Sequence, residues 1–308
     1  MKRHAAGEEI DASSRGAAIA LGNFDGVHLG HQAVIASARA AAATKGVGLG
    51  VAVFEPHPRR IFQPDAQPFR LQTSEQRAQT LAALGAQQLY EIGFDRALSQ
   101  LSDEEFARGV LAERLGVVHV SVGADFRFGR GRMGDAESLT RFGAALGFSV
   151  DAVSPVGDGA KISSSAIREA VTAGAPDRAA ALLGRPWAIE GIVQRGFQRG
   201  REFGFATANV ALGDYLRPRL GVYAVRVAID GRLFDGVASV GVNPTVGALP
   251  EPVLEAHIFD FDANLYGKTI EVELIAFLRD EAKFETAEIL ARQIAEDASA
   301  ARSLLRGL

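Results

Sequence analysis

The stretch that decides the fold is Gly22–Gln32, which reads GNFDGVHLGHQ. An apolar run, Ala17–Leu21, comes directly before it, and an alanine-rich segment of helical character, Leu29–Thr44, overlaps its end. A loop between a buried strand and a helix presents backbone amides at the positive end of the helix, where anions bind. His28 and His31 lie three residues apart and therefore share one helix face. The pair predicts hydrogen bonds to phosphate and stabilisation of charge during phosphoryl displacement.

The rest of the first half alternates strand-like and helical patterns. The strand-like runs are Ala17–Leu21, Val47–Phe54, Gln88–Phe94, Val117–Val122 and Phe148–Val153. The helical segments are Leu29–Thr44, Ser74–Leu84, Ser102–Arg114 and Ser138–Leu146. Ser102 with Glu105 three residues later indicates a capping box. This alternation predicts βαβ units and an α/β, Rossmann-like domain with a buried parallel sheet, whose ligands bind beyond the C-terminal ends of the strands.

The pattern changes from about Arg185 onward. Two strand-like runs are joined at Asp230-Gly231, a strong signal for a two-residue hairpin. Thr269–Phe277 alternates strictly between apolar and polar residues, as a half-buried antiparallel strand does. An amphipathic helix begins near Thr286. The second half is therefore predicted to be a small antiparallel β-barrel with a C-terminal helix. The two strand-like runs that the Asp230-Gly231 turn joins are Val222–Ile229 and Leu233–Val242.

Length and composition agree with two ordinary globular domains. The chain has 308 residues, and a domain comprises roughly 150, so we predict one domain over residues 1–184 and a second over 185–308. Lys and Arg number 33 against 37 Asp and Glu, which predicts no general attraction to nucleic acid or to an anionic membrane. The absence of cysteine excludes disulfides and thiolate nucleophiles. No apolar run approaches the ~18 residues of a membrane span, and a cytoplasmic location is predicted.

A second phosphate-binding pattern lies in Gly191–Asn209, GIVQRGFQRGREFGFATAN. Glycines let backbone amides approach a phosphate closely, and the interspersed arginines supply neutralising charge. The alternative interpretation of this segment alone is a basic turn on a solvated surface. The residues assigned to nucleotide binding here are Gly191, Gly196, Arg199 and Gly200.

The first half resembles prokaryotic FAD synthetases of the nucleotidyltransferase superfamily. Gly22–Gln32 is similar to their His-x-Gly-His element, and three more motifs follow in order: Phe54–Pro58 (FEPHP), Gly123–Gly129 (GADFRFG) and Ile162–Arg168 (ISSSAIR). The last motif usually has threonine where Ser165 stands, and the hydroxyl is kept. The resemblance implies that this half transfers AMP from ATP to FMN, giving FAD and pyrophosphate.

Residue roles follow from that resemblance. His28, His31 and Arg168 are expected to be catalytic, with Arg168 suited to the leaving pyrophosphate. Ser164 and Ser165 can cap a helix whose N-terminus faces phosphate. The residues expected to bind ATP are Gly22, Asn23, Phe24, Asp25, Gly30, Ser164 and Ser165. Those expected to bind FMN are Pro56, His57, Pro58, Asp125 and Phe126.

The second half resembles riboflavin kinases. Ala206–Asn209 is similar to their Pro-Thr-Ala-Asn motif, in which threonine and asparagine hold the metal–nucleotide complex, here Thr207 and Asn209. Ala206 replaces the proline, at a cost of roughly 0.4–1 kcal/mol where proline would fit, so we expect tuning and no loss of activity. Glu255, within LEAHIFD, matches the family's catalytic base, which accepts the proton of the attacking alcohol.

The resemblance covers nearly the whole chain and predicts a bifunctional enzyme. Its substrates and products would be riboflavin, FMN, FAD and ATP, with Mg²⁺ as cofactor, and a homo-oligomer is compatible with the sequence. One alternative is a single-activity FMN adenylyltransferase whose β domain binds flavin without kinase activity, supported by Ala206 alone. A second alternative is a flavin sensor, for which the sequence offers no output element.

Overall fold

The structure is a computed structural model that describes residues 1–157, 162–194, 207–242 and 252–307. It divides into two compact units. Unit 1 comprises Met1–Ala66 and Ser74–Ser163, and unit 2 comprises Gln67–Thr73 and Ser164–Leu308. Unit 2 thus starts before Arg185 and includes a short segment from the first half of the sequence.

Unit 1 is built on a six-stranded sheet in the order β1-β4-β3-β2-β5-β6, and all neighbouring strands are parallel. The strands are β1 Lys2–His4, β2 Ala18–Leu21, β3 Leu49–Glu55, β4 Gln88–Gly93, β5 His119–Gly123 and β6 Ser149–Val153. The predicted parallel sheet is confirmed, whereas β1 was missed because three polar residues carry no strand pattern. The strand order reverses direction between β2 and β5, so their C-terminal ends define the crevice where such sheets bind ligands.

The helices of unit 1 cover both faces of this sheet. They are α1 Leu29–Lys45, α2 Pro58–Phe62, α3 Ser74–Ala83, α4 Asp103–Glu105, which continues as a π-helix over Phe106–Arg114, and α5 Ala136–Leu146. One apolar cluster joins α1 and α3 to the sheet, and a second joins the π-helix and α5 to its other face. Burial on both faces explains why the central strands β2 and β3 are almost continuous apolar runs.

Helix ends in unit 1 show where the sequence signals were right and where one was wrong. The capping box of Ser102 and Glu105 is confirmed, and Gly46 ends α1 in the left-handed conformation at φ 66°. The predicted start of α5 at Ser138 is wrong. Asp135 caps that helix, because its carboxylate accepts from the Ser138 amide at 2.9 Å while the Ser138 hydroxyl accepts from the Asp135 amide at 3.0 Å. Ser138 is therefore the third residue of the helix.

A buried polar network crosses β5 and β6. His119 is 3% exposed, and its Nδ1 and Nε2 lie 2.9 Å from the hydroxyls of Ser149 and Ser121. The Ser121 hydroxyl also lies 2.9 Å from that of Ser37 on α1, which donates to Asp151 at 3.0 Å. Burial lowers the pKa of His119 below its ordinary 6.5, and Asp151 opposes that effect. The neutral ring is therefore the form that the fold favours.

This network makes the stability of unit 1 depend on pH. The pKa of His119 is lower in the folded state, so the unfolded chain takes up the proton first as the pH falls. The contribution of His119 to the free energy of unfolding is therefore fully present above pH 6.5 and is lost at lower pH. We expect the melting temperature of unit 1 to fall between pH 7 and pH 5 more steeply in the parent than in His119→Gln. Scanning calorimetry of both proteins at several pH values checks this, and parallel curves would contradict it.

Unit 2 is a curled antiparallel sheet in the order β7-β12-β9-β10-β11-β8. The strands are β7 Trp187–Ile192, β8 Thr207–Ala211, β9 Gly221–Ile229, β10 Arg232–Val242, β11 Pro252–Ile258 and β12 Thr269–Arg279. The Gln194 amide donates to the Asn209 carbonyl at 2.9 Å, so the two edges of the sheet meet and the predicted barrel is confirmed. Asp230 and Gly231 form the predicted hairpin turn, with φ of 49° and 79°.

The described residues of unit 2 also form three helices: α6 Ser164–Ala173, α7 Pro176–Leu183 and α8 Ala287–Leu305. Alternate residues of the barrel strands fill its interior, among them Val225, Val240 and Leu254. The helix α8 instead packs on the outer face, where Ala301 and Leu305 join Val222 and Val237. Thr286 caps α8 by accepting from the Ile289 amide, which confirms the predicted start. In the described parts of both units, no helix is long and apolar enough to cross a membrane.

Candidate active sites

The loop between β2 and α1 is largely buried and contains two residues in an unfavourable backbone conformation. Phe24 and Val27 are at most 1% exposed, yet both adopt positive φ, at 49° and 43°. Such a conformation costs a non-glycine residue of order 1–3 kcal/mol and persists only where the surroundings enforce it. Asp25 is 1% exposed, whereas Asn23 is exposed. The packing around this loop therefore holds its backbone in a defined conformation at the crevice of the sheet.

His28 and His31 are held together at the start of α1. His28 is the N-cap, and its Nδ1 accepts from the His31 amide at 3.2 Å. Their rings stack with centroids 3.5 Å apart and planes 14° apart. Because Nδ1 is the acceptor, the neutral ring of His28 carries its proton on Nε2, which is thus a donor.

Gly30 permits that arrangement. A Cβ atom at this position would lie 3.2 Å from two atoms of the His28 ring and 3.7 Å from the Ile162 carbonyl oxygen. The close approach of the cap imidazole to the first turn of the helix thus leaves little room for a side chain at this position. Gly30 therefore has a packing reason in addition to its predicted role in ATP binding.

The loop after β3 carries the residues predicted to receive FMN. His57 caps the short helix α2, and its Nδ1 accepts from the Arg59 amide at 3.1 Å. Pro56 is exposed, and His57 and Pro58 are half-buried. As in His28, an accepting Nδ1 leaves Nε2 as the donor of the neutral ring.

Beside this loop lies an aromatic surface that the sequence did not predict. Phe62, at the end of α2, is 65% exposed, and its ring packs edge-on against Phe94 at 5.8 Å. Phe94 packs in turn against Phe54 at 5.7 Å. An exposed phenylalanine supported by two others offers a face to a flat ring. Only its exposure in the fold sets Phe62 apart from the core phenylalanines, so the sequence held no signal for it.

The loop after β5 lies on the other side of the same strand-order reversal. Asp125 is exposed, and Phe126 stacks on Phe128 with centroids 5.7 Å apart. Because β2 and β5 are hydrogen-bonded neighbours, the loops carrying His28 and Asp125 leave the sheet side by side. The structure therefore brings these two sequence motifs together at the C-terminal ends of neighbouring strands.

Three residues predicted for the same reaction belong to unit 2. Ser164 and Ser165 are the first residues of α6, and Arg168 follows one turn later. The Arg168 Nε donates to the Phe69 carbonyl at 2.9 Å, and its guanidinium lies 5.6 Å from the Phe69 ring. Arg168 thus has a defined anchor within its own unit.

The predicted kinase residues lie on adjacent strands of the barrel. Glu255 on β11 is directly opposite Asn209 on β8 and Ser239 on β10, and His257 is opposite Thr207. The neighbours of Glu255 in sequence, Leu254 and Ala256, are fully buried in the interior, so Glu255 faces outward. Thr207, Asn209 and Glu255 therefore form one polar outer face, the face on which α8 packs.

The approach of β7 to β8 also depends on a glycine. A Cβ atom on Gly191 would lie 2.5 Å from Cγ1 of Val210, so only glycine fits between these strands. Gly191 therefore has a packing reason in addition to its predicted role. Gly196, Arg199, Gly200 and Ala206 lie outside the described residues.

Another carboxylate near the barrel, that of Asp260, is engaged in an ion pair. Asp260 forms a two-pronged ion pair with Arg302 of α8, at 2.9 and 3.2 Å. Hydrogen bonding by Arg302 lowers the pKa of Asp260, which weakens it as a proton acceptor. Glu255, in contrast, lies directly opposite Asn209 in the register of β11 with β8.

Two family models match this chain in sequence order. The FAD synthetase model matches residues 10–166, and the riboflavin kinase model matches residues 183–305. With the parallel and barrel units described above, they define a two-domain transferase that uses ATP. The kinase match supports the two-activity prediction over the single-activity alternative.

Full-length relatives share both parts. A bifunctional riboflavin kinase/FMN adenylyltransferase of Pseudomonas fluorescens is 42% identical, covering 94% of this chain and 93% of its own, and one of Escherichia coli K12 is 37% identical with the same coverage. A Streptococcus pneumoniae crystal structure described as a macrolide-efflux protein is 31% identical, with a TM-score of 0.83 over 93% of this chain and 94% of its own. The chain belongs to the family of bifunctional riboflavin kinase/FMN adenylyltransferases.

Proposed function

We propose that unit 1 carries out adenylyl transfer at the β2/β5 crevice, and the stacked pair His28 and His31 is the observation that carries this. A phosphate oxygen of FMN attacks the α-phosphorus of ATP, a new P–O bond forms, and pyrophosphate leaves with the electron pair of the broken bond. The nucleophile is already ionised, so no base is required. The Nε2–H of His28 donates to the phosphate as negative charge builds up. Arg168 is assigned to the pyrophosphate.

The loop after β3 is assigned to FMN. The Nε2 of His57 is assigned as a donor to the FMN phosphate, and the exposed face of Phe62 is assigned to the isoalloxazine ring. Asp125 and Phe126, on the adjoining loop after β5, complete the assigned flavin site. These assignments are supported by the order of the sheet, because β3, β2 and β5 are neighbours and their C-terminal ends lie side by side.

Riboflavin phosphorylation is assigned to the outer face of the barrel. Glu255 accepts the proton of the terminal ribityl hydroxyl as that oxygen attacks the γ-phosphorus of ATP and ADP leaves. Thr207 and Asn209 hold the nucleotide on the adjacent strand. The register pair Glu255–Asn209 supports a single site, because it sets the base and a nucleotide ligand on directly opposed residues.

The donors on this face fit Mg²⁺. The hydroxyl of Thr207 and the amide oxygen of Asn209 are hard oxygen ligands, which Mg²⁺ prefers. Within the described ranges, no cluster of three or more His, Asp or Glu side chains could hold a metal alone. Mg²⁺ usually keeps waters and binds through few protein oxygens plus substrate phosphates, so a sparse donor set suits it. When bound, it neutralises phosphate charge.

The division of labour is proposed to follow residues 1–184 for adenylyl transfer and 185–308 for the kinase. The matched regions 10–166 and 183–305 support this division. The helices α6 and α7 precede Arg185 but pack with unit 2, so they serve as a structural base for the barrel. The cytoplasmic location stays a prediction of the sequence.

Flavin products report on both proposed sites. The purified chain is incubated with riboflavin, ATP and Mg²⁺, and FMN and FAD are separated over time. FMN should appear first and FAD later, and chelation of Mg²⁺ should stop FMN formation. FMN formation at full rate without divalent metal would contradict the assignment of Thr207 and Asn209.

A further inference from the structure

A chain of alternating charges lies beneath the loop assigned to FMN. Arg77 of α3 donates from Nη2 to Oε2 of Glu55 at 2.7 Å, and the same Nη2 lies 3.9 Å from Oε1 of Glu91. Arg3 donates to that Glu91 oxygen from Nη2 at 2.7 Å and from Nε at 3.1 Å. The order along the network is therefore Glu55, Arg77, Glu91, Arg3.

The centre of this network is buried. The Arg77 side chain is 1% exposed and that of Glu91 is 6% exposed, whereas those of Glu55 and Arg3 are 25% and 39% exposed. Among the described residues, the Arg77 Nε has no hydrogen-bond partner although it is buried. A buried donor left in this state is costly, so the network is not arranged for stability alone. The one short, well-made bond of Arg77 is directed at Glu55.

Glu55 is the last residue of β3 and directly precedes Pro56 and His57. Its carbonyl accepts from the Phe94 amide at 3.1 Å, which fixes its backbone to the end of β4. Its side chain points to the α3 face of the sheet, where Arg77 holds it. Both the backbone and the side chain of the residue before the loop are thus tied to the body of unit 1.

We propose that Arg77, through Glu55, is a positioning residue for adenylyl transfer. The pair fixes the exit of β3 and thereby the place of His57 against the FMN phosphate; this inference rests on the proposed FMN site. The reaction needs the attacking phosphate aligned with ATP, and a displacement of about 1 Å can cost 10²-fold. Neither residue is assigned to substrate contact.

The test compares two glutamines in one network. Glu55→Gln weakens the hold on the loop, whereas Glu91→Gln perturbs the same arginines without adjoining the loop. We expect Glu55→Gln to lower kcat/KM for FMN about tenfold, with the KM for ATP in FAD formation unchanged. Glu91→Gln should keep the parental kcat/KM for FMN at a similar melting temperature. Arg77→Lys, which can still pair with Glu55, should stay within threefold of the parent. Riboflavin phosphorylation serves as the internal control.

The outcomes separate this inference from the FMN site itself. Equal kcat/KM values for FMN in the two glutamine variants would overturn the inference, and so would a parental value in Glu55→Gln. His57→Asn is measured alongside. If His57→Asn is impaired while Glu55→Gln is not, the FMN site stands and the positioning role falls. If only Glu55→Gln is impaired, the assignment of phosphate to His57 falls, and with it the part of the inference that routes the positioning through His57.

Discussion

Replacing Glu255 by glutamine should lower the turnover of riboflavin phosphorylation by roughly 10²–10⁴, the usual contribution of a general base. Glutamine keeps the volume and most hydrogen bonds of Glu255 but cannot accept the proton of the attacking hydroxyl. Binding of riboflavin and ATP should change far less, because ground-state contacts survive. Product analysis gives the turnover, and stopped-flow flavin fluorescence gives the binding.

The barrel offers a matched control for this variant. Glu273 on β12 is also a partly buried strand carboxylate, and burial raises its pKa, so a neutral glutamine there should be well tolerated. Glu273→Gln should retain parental kinase turnover, and both variants should make FAD from added FMN at the parental rate. Parental kinase turnover in Glu255→Gln would refute its role as base and leave Asp262, an exposed residue after β11, as the next candidate.

Removal of the donor on His28 should lower FAD formation from FMN at least tenfold, which corresponds to about 1.4 kcal/mol of transition-state stabilisation. His28→Asn is the sharpest variant, because asparagine is also a good helix N-cap and preserves the start of α1 while removing the imidazole. His31→Ala removes the stacked partner and should also lose at least tenfold. Riboflavin phosphorylation should persist in both variants.

A buried histidine of the same unit provides the control. His119→Gln changes a buried histidine at the N-terminal end of β5, the end opposite the loops assigned to substrate, and should form FAD at the parental rate at pH 7.5. If His28→Asn and His31→Ala both match His119→Gln in FAD formation, the two histidines have no role in phosphate chemistry. Melting curves of all three variants exclude unfolding as the cause of a loss.

Local patterns predicted the parallel sheet, the barrel hairpin and most helix boundaries, because burial on two faces and turn chemistry leave periodic signals. Short elements escaped: β1 depends on pairing with β4, and α2 depends on a cap from His57. Both are held by contacts to residues distant in sequence or by one side-chain hydrogen bond. Hydrophobic periodicity does not record such contacts.

The candidate sites show the same division between motif and context. The histidine pair and Glu255 could be found from the sequence, through phosphate chemistry and family resemblance. The opposition of Glu255 to Asn209 could not, since it depends on the register of β11 with β8. The ion pair between Arg77 and Glu55 could not be predicted from the sequence either, because the helix and the strand end that carry them meet only in the folded protein.

The central claim is that one chain performs two reactions at two separate sites, and mixing inactivated variants tests it most directly. With riboflavin, ATP and Mg²⁺, Glu255→Gln alone should form little FMN, and His28→Asn alone should stop largely at FMN. An equimolar mixture should convert riboflavin to FAD, because FMN released by one variant is adenylylated by the other. FAD formation in the mixture no faster than in the better single variant, with both proteins folded, would contradict two independent sites.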